Sequence, residues 1–84
     1  MKETLLFLLS KIVDHPDEIQ VVESNDNSKL ILTIHANQED LGKIIGKSGR
    51  IIKALRDLIK LMATKENVYV DVVIAESTPE SATV

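Results

Sequence analysis

Ile44-Ile45-Gly46-Lys47-Ser48-Gly49-Arg50-Ile51-Ile52 is the stretch that decides how the rest of this chain is read. Two glycines, three residues apart, interrupt an apolar run that otherwise fits a helix. The isoleucine pairs on either side make Gly46-Lys47-Ser48-Gly49 a turn between two helical segments. Glycine has no Cβ, so the main chain can bend sharply there and a phosphate can approach it closely. The unpaired N–H groups that open the second helix point at such a phosphate, and the helix dipole favours its charge. Lys47 adds a cation and Ser48 a hydroxyl donor. A plainer reading makes Gly46 a helix C-terminal cap and Gly49 a tight entry into the next helix. The context decides between the two.

The first context is charge. The chain carries a net charge of −3 over 84 residues, which alone argues against a polyanion as partner. Its distribution argues the other way. Lys43, Lys47, Arg50, Lys53, Arg56, Lys60 and Lys65 are opposed in that window only by Asp57, giving +6 there and −9 elsewhere. A basic patch centred on a turn of this kind is the footprint of a phosphate-contacting surface.

The second context is the pattern outside the turn. Residues 2–14 read as an amphipathic helix with Leu5, Leu6, Leu8, Leu9, Ile12 and Val13 on one face, ended by His15-Pro16. Residues 19–23 suggest a strand and residues 24–28 a polar turn. Leu30, Leu32 and Ile34 alternate with Ile31, Thr33 and His35 in a clear second strand, so the two make a hairpin. Asn37 reads as a helix N-cap, with Asp40 as a capping-box-like acid. A short helix over 38–45 turns Leu41, Ile44 and Ile45 inward, and Gly42 suggests that another element packs close. A longer helix over 50–63 buries Ile51, Ile52, Leu55, Leu58, Ile59 and Met62, and it carries Arg50, Lys53, Arg56 and Lys60 on a separate arc. Leu61 falls near the charged side, and Phe7 falls on the polar side of the first helix. Val68, Val70, Val72 and Ile74 alternate as a third strand. Residues 76–84 read as a loose tail after a single domain over 1–75.

The resulting order is helix–strand–strand–helix–(Gly-Lys-Ser-Gly)–helix–strand. It resembles a type II KH domain, an α+β fold whose three-stranded mixed sheet has its helices on one face. The strings His15-Pro16-Asp17-Glu18, Glu39 through Arg56 and Lys65-Glu66-Asn67 make the resemblance narrower. The chain is similar to the small bacterial single-KH-domain KhpA (YlqC) family, whose turn carries a basic residue after its first glycine, as Lys47 does here. The tail over 76–84 departs from that pattern.

The resemblance implies an RNA-binding protein of the bacterial cytoplasm. It implies a post-transcriptional regulator or RNA chaperone working as a homodimer, or as a heterodimer with a second KH protein of the KhpB (Jag) family. It implies that Gly46, Lys47, Ser48 and Gly49 clamp the backbone of about four nucleotides of single-stranded RNA. Arg50, Lys53 and Lys43 then add longer-range attraction. Ile44 and Ile51 are candidates for the wall of a base-accepting groove, although ordinary core packing explains them equally, and Ile45 and Ile52 read as core. Aromatic residues are scarce, with none near the turn, so base discrimination should be weak. Modest affinity from one patch gives dimerisation a purpose, and Leu61 and Phe7 are candidates for that interface.

The same residues speak against other functions. There is no cysteine, so disulfides and thiolate chemistry are absent. No stretch reads as a signal peptide or a membrane span. Gly46-Lys47-Ser48 lacks the glycine five residues earlier that a nucleotide-binding P-loop needs, since position 41 is leucine. His15 and His35 stand apart with no cysteine to join them, so no catalytic, metal, cofactor or small-molecule site is expected. A helix-turn-helix reader of duplex DNA fits the two helices but not the flanking strands. An adaptor that keeps the KH fold with little RNA affinity stays open.

Overall fold

The computed structural model describes residues 1–75, so the expected tail lies outside the described residues. Six main elements follow one another: α1 (Lys2–Ser10), β1 (Gln20–Asp26), β2 (Lys29–His35), α2 (Gln38–Ile45), α3 (Arg50–Lys65) and β3 (Tyr69–Ile74). Short 3₁₀ turns occupy Pro16–Glu18 and Lys47–Gly49. The sheet order is β1-β2-β3. β1 and β2 are antiparallel, with Val21 opposite Ile34, and β2 and β3 are parallel, with Leu32 opposite Val72. The parallel pair requires a crossover, and α2, the glycine turn and α3 supply it.

Alternation places Val21, Leu32, Ile34, Val70 and Val72 on the buried face of the sheet. Against them lie Leu5 and Leu9 of α1, Ile44 of α2, and Ile52, Leu55, Ile59 and Ala63 of α3. Each large side chain buried this way contributes roughly 1.5–3 kcal/mol of transfer free energy.

Several boundaries and assignments differ from the sequence expectation. α1 ends at Ser10 rather than near residue 14. Its last turn tightens, with Lys11 and Ile12 amides donating to the Leu8 and Leu9 carbonyls, and the amides of Asp14 and His15 turn instead to the Asp40 carboxylate. The hairpin turn shrinks from five residues to Asn27-Ser28. Both have positive φ (53° and 69°), the twist that a two-residue hairpin requires, so pairing runs on to Asp26 opposite Lys29. Gly42 has no close neighbour: a Cβ there meets nothing within 4 Å. Leu58 is 48% exposed, at the margin of the buried arc of α3, while Ala63 is buried in its place. α3 runs on to Lys65 and closes in a Schellman pattern, with Val68 N–H bonded to the Ala63 carbonyl, Asn67 N–H to the Thr64 carbonyl, and Asn67 itself at φ 59°.

Candidate nucleic-acid interface

The two helices that meet at the glycine turn begin in opposite ways. α2 has the usual equipment: the Asn37 side chain accepts the Glu39 amide at 2.8 Å, and two acids occupy its first turn. α3 has none of it. Its N-cap is Gly49, no side chain caps it, and its first turn holds no acid. The residues around its start are basic, Lys47 and Arg50, and both are exposed. Neither forms an ion pair among the described residues. The positive end of the α3 dipole is thus left open and surrounded by cations, an arrangement that favours an anion.

The turn holds an unusual backbone. Gly46 (φ 77°), Ser48 (φ 57°) and Gly49 (φ 73°) all have positive φ. The two glycines are needed for different reasons. A Cβ on Gly46 would lie 2.6 Å from Ile51 Cγ1, so the Ile51 side chain packs directly on the turn. A Cβ on Gly49 would meet nothing within 4 Å, so there the left-handed φ is the requirement and the space beside it stays open. Ser48 takes the left-handed conformation without glycine's freedom, at a cost of about 1–2 kcal/mol.

The other expected contributors divide. Lys43 does not stand free beside the turn. Its ammonium hydrogen-bonds Asp14, holds that carboxylate below its usual range and is itself raised by it. Lys53 pairs with Asp57 one turn on, at 3.1 Å. The exposures expected of Ile44 and Ile45 are reversed. Ile44 is 0% exposed and belongs wholly to the core, so it offers no wall to a base, whereas Ile45 is 40% exposed at the end of α2. Ile51 is half-buried, between the core and the turn.

Asp40 carries a role the sequence reading missed. It is completely buried, and its two carboxylate oxygens accept the amides of Asp14 (3.2 Å) and His15 (2.9 Å). It therefore ties the end of α1 to the start of α2 instead of closing a capping box. The available signal was its spacing: Asp40 lies one helical turn before Ile44 and so shares the buried face.

α3 presents two distinct flanks beside its core face. On the side toward β3, Arg56 Nε donates to the Val72 carbonyl at 2.9 Å. Val72 projects its backbone to the free edge of β3, so Arg56 covers part of that edge. On the other side Leu58 and Leu61 (70% exposed) lie one turn apart with exposed Ala54, forming an apolar stripe. Phe7 is exposed on α1, and Lys11 Nζ lies 5.2 Å from its ring centroid. Among the described residues no group of His, Asp and Glu is arranged to hold a metal ion, and no helix is long and apolar enough to cross a membrane.

Comparison with known proteins shows the family. The family model described as the KhpA/KhpB KH domain matches residues 2–74. A Clostridium acetobutylicum protein named RNA-binding protein KhpA is 48% identical over 67 residues, covering 80% of this chain and 89% of its own. Proteins of the same name from Leifsonia xyli subsp. xyli (45% identical, 82% and 91% covered) and Thermotoga maritima (42%, 87% and 99%) are also similar.

Proposed function

This chain belongs to the KhpA/KhpB KH-domain family, and from that premise we propose that it is an RNA-binding protein which grips the backbone of single-stranded RNA at Gly46-Lys47-Ser48-Gly49. The observation that carries the reading is the open, uncapped, cation-flanked start of α3 beside a turn whose backbone no ordinary run of residues adopts. Backbone amides of the turn and the first turn of α3 take the phosphates. Lys47 and Arg50 supply the attraction, and Lys53 joins them when RNA competes with Asp57. Ile45 and Ile51 form the apolar wall for the bases. The role is one of binding, not catalysis.

Dimerisation belongs to the same proposal, as a homodimer or with a second KH protein of the KhpB type. Leu58 and Leu61 on α3 are its best support. Their flank is the one turned away from the β3 edge, so a partner docked there leaves the RNA side open. Phe7 is the weaker candidate because Lys11 already lies over its ring. Post-transcriptional regulation or RNA chaperoning in the bacterial cytoplasm is the cellular role that fits.

The test is fluorescence anisotropy with labelled random single-stranded RNA at two salt concentrations, comparing the wild type with Lys47→Asp/Ser48→Asp after circular dichroism has shown that the variant folds. Salt-sensitive binding lost in the variant is expected. Equally weak binding by both proteins overturns the clamp and leaves the adaptor reading in its place.

A further inference from the structure

The cations around the glycine turn fall into two groups. Lys43 and Lys53 are taken by Asp14 and Asp57, while Lys47 and Arg50 have no acidic partner among the described residues. The acids outside those residues are Glu76 and Glu80. Residues 76–84 read Glu-Ser-Thr-Pro-Glu-Ser-Ala-Thr-Val, with these two acids, four hydroxyl side chains and no base. Such a segment offers a cation the same anionic oxygens that a phosphate backbone does.

The place where β3 ends decides what these acids reach. α3 and β3 run in opposite directions: Val68 N–H bonds the Ala63 carbonyl at one end of their seam, and Arg56 Nε bonds the Val72 carbonyl further along. From Arg56 back to Arg50 the helix covers about 9 Å, at about 1.5 Å per residue. From Val72 on to Ala75 the strand covers about 10 Å, at about 3.3 Å per residue. Both arrive at about the same level, and the Ala75 amide is still held in the sheet by the Ile34 carbonyl at 2.9 Å. The chain therefore leaves the sheet beside the basic start of α3. From Ala75 to Glu80 it spans at most about 18 Å, so both acids come within reach of the turn. We propose that residues 76–84 fold back over the glycine turn and compete there with RNA, setting Glu76 and Glu80 against Lys47 and Arg50. The proposal rests on the RNA-binding reading above and adds an intramolecular competitor to it. A short tether holds the two carboxylates at an effective concentration on the order of mM. An RNA that lays about four nucleotides on the turn still displaces them, so the segment filters weak ligands rather than abolishing binding.

The test compares ¹⁵N-labelled wild type with Glu76→Gln/Glu80→Gln, both as the whole 84-residue chain, first without RNA. The chain has three glycines, so the Gly46 and Gly49 amide resonances are readily followed. They should differ between the two proteins at low salt and converge at high salt, where exposed charges are screened. In anisotropy titrations with U4 RNA at low salt, Glu76→Gln/Glu80→Gln should bind roughly 2- to 25-fold more tightly than wild type, the combined worth of two exposed ion pairs. Glu3→Gln/Glu23→Gln removes the same charge from exposed positions on α1 and β1 and should gain less. Equal gains in the two variants reduce the effect to net charge and overturn the proposal. So do Gly46 and Gly49 amides that are identical in wild type and Glu76→Gln/Glu80→Gln. Amide differences that grow with protein concentration put the segment on a second copy and overturn the intramolecular reading. Failure of the clamp reads differently: amide differences as expected, with U4 binding unchanged in Lys47→Asp/Ser48→Asp, uphold the docked segment and remove RNA from the turn.

Discussion

Replacing Gly46 by alanine separates a geometric requirement from a mere tolerance. Gly46 sits at φ 77° and ψ 172°, a region populated almost only by glycine. Placing a side chain there costs about 1–3 kcal/mol from backbone strain alone. The new Cβ would also lie 2.6 Å from Ile51 Cγ1, 2.8 Å from its Cβ and 2.9 Å from its Cδ1. Ile51 cannot rotate clear, because its own Cβ is one of the near atoms, and overpacking of this kind adds about 1–3 kcal/mol. The expected loss is about 2–6 kcal/mol, out of roughly 4–13 kcal/mol for a domain of this size. Gly49→Ala meets open space at φ 73° and should cost only about 1–2 kcal/mol. Urea unfolding followed by circular dichroism measures both. Ile51→Ala removes two of the three contacts, so the Gly46/Ile51 cycle should be non-additive by about 1 kcal/mol or more. Equal costs at the two glycines, with additivity in the cycle, would refute the packing argument.

Other consequences are open to similar measurement. Asp40→Ala orphans the Asp14 and His15 amides and should cost about 2–6 kcal/mol in urea unfolding, while Asp40→Asn, which keeps one acceptor, should cost less; a change within 0.5 kcal/mol for Asp40→Ala would show that the tie is dispensable. Because Lys43 lowers the Asp14 pKa, that pair stabilises the fold above the ordinary carboxylate value of about 3.9, and the benefit is lost as pH falls through the lowered one. Asp14→Asn should therefore narrow the stability gap between pH 7 and pH 3, and an unchanged gap would discount the pair. Leu58→Lys/Leu61→Lys should convert a dimer to a folded monomer in sedimentation analysis, and an unaltered mass would move the interface elsewhere.

Most of the fold was readable because its signals are periodic. The alternation in β2 and β3 and the apolar arc of α3 name nearly all of the core, and the glycine turn sits where its helices require. What the sequence hid is set by the third dimension. Helical spacing puts Ile44 and Ile45 on neighbouring arcs, and only the packing of α2 against α3 decides which is covered. Leu58 lies within the apolar arc, yet it is 48% exposed at its margin. Asp40 looked like a local cap because its true partners, Asp14 and His15, lie more than twenty residues away. The acid partners of Lys43 and Lys53, Asp14 and Asp57, became visible only once the helices were placed.

The parallel crossover also sets an order in time. The β1–β2 hairpin closes through a two-residue turn, a local event on a scale of about 1–10 μs. Pairing Lys29 with Tyr69 must wait until the 39 residues between them have been gathered, and non-local parallel pairing is intrinsically slow. The glycine turn lies inside that crossover, held by α2 on one side and by α3 on β3 on the other. Phosphate-binding competence should therefore appear late in refolding, with the arrival of β3. Stopped-flow refolding that recovers RNA anisotropy ahead of the Tyr69 emission change would show instead that the turn is shaped by its two helices alone.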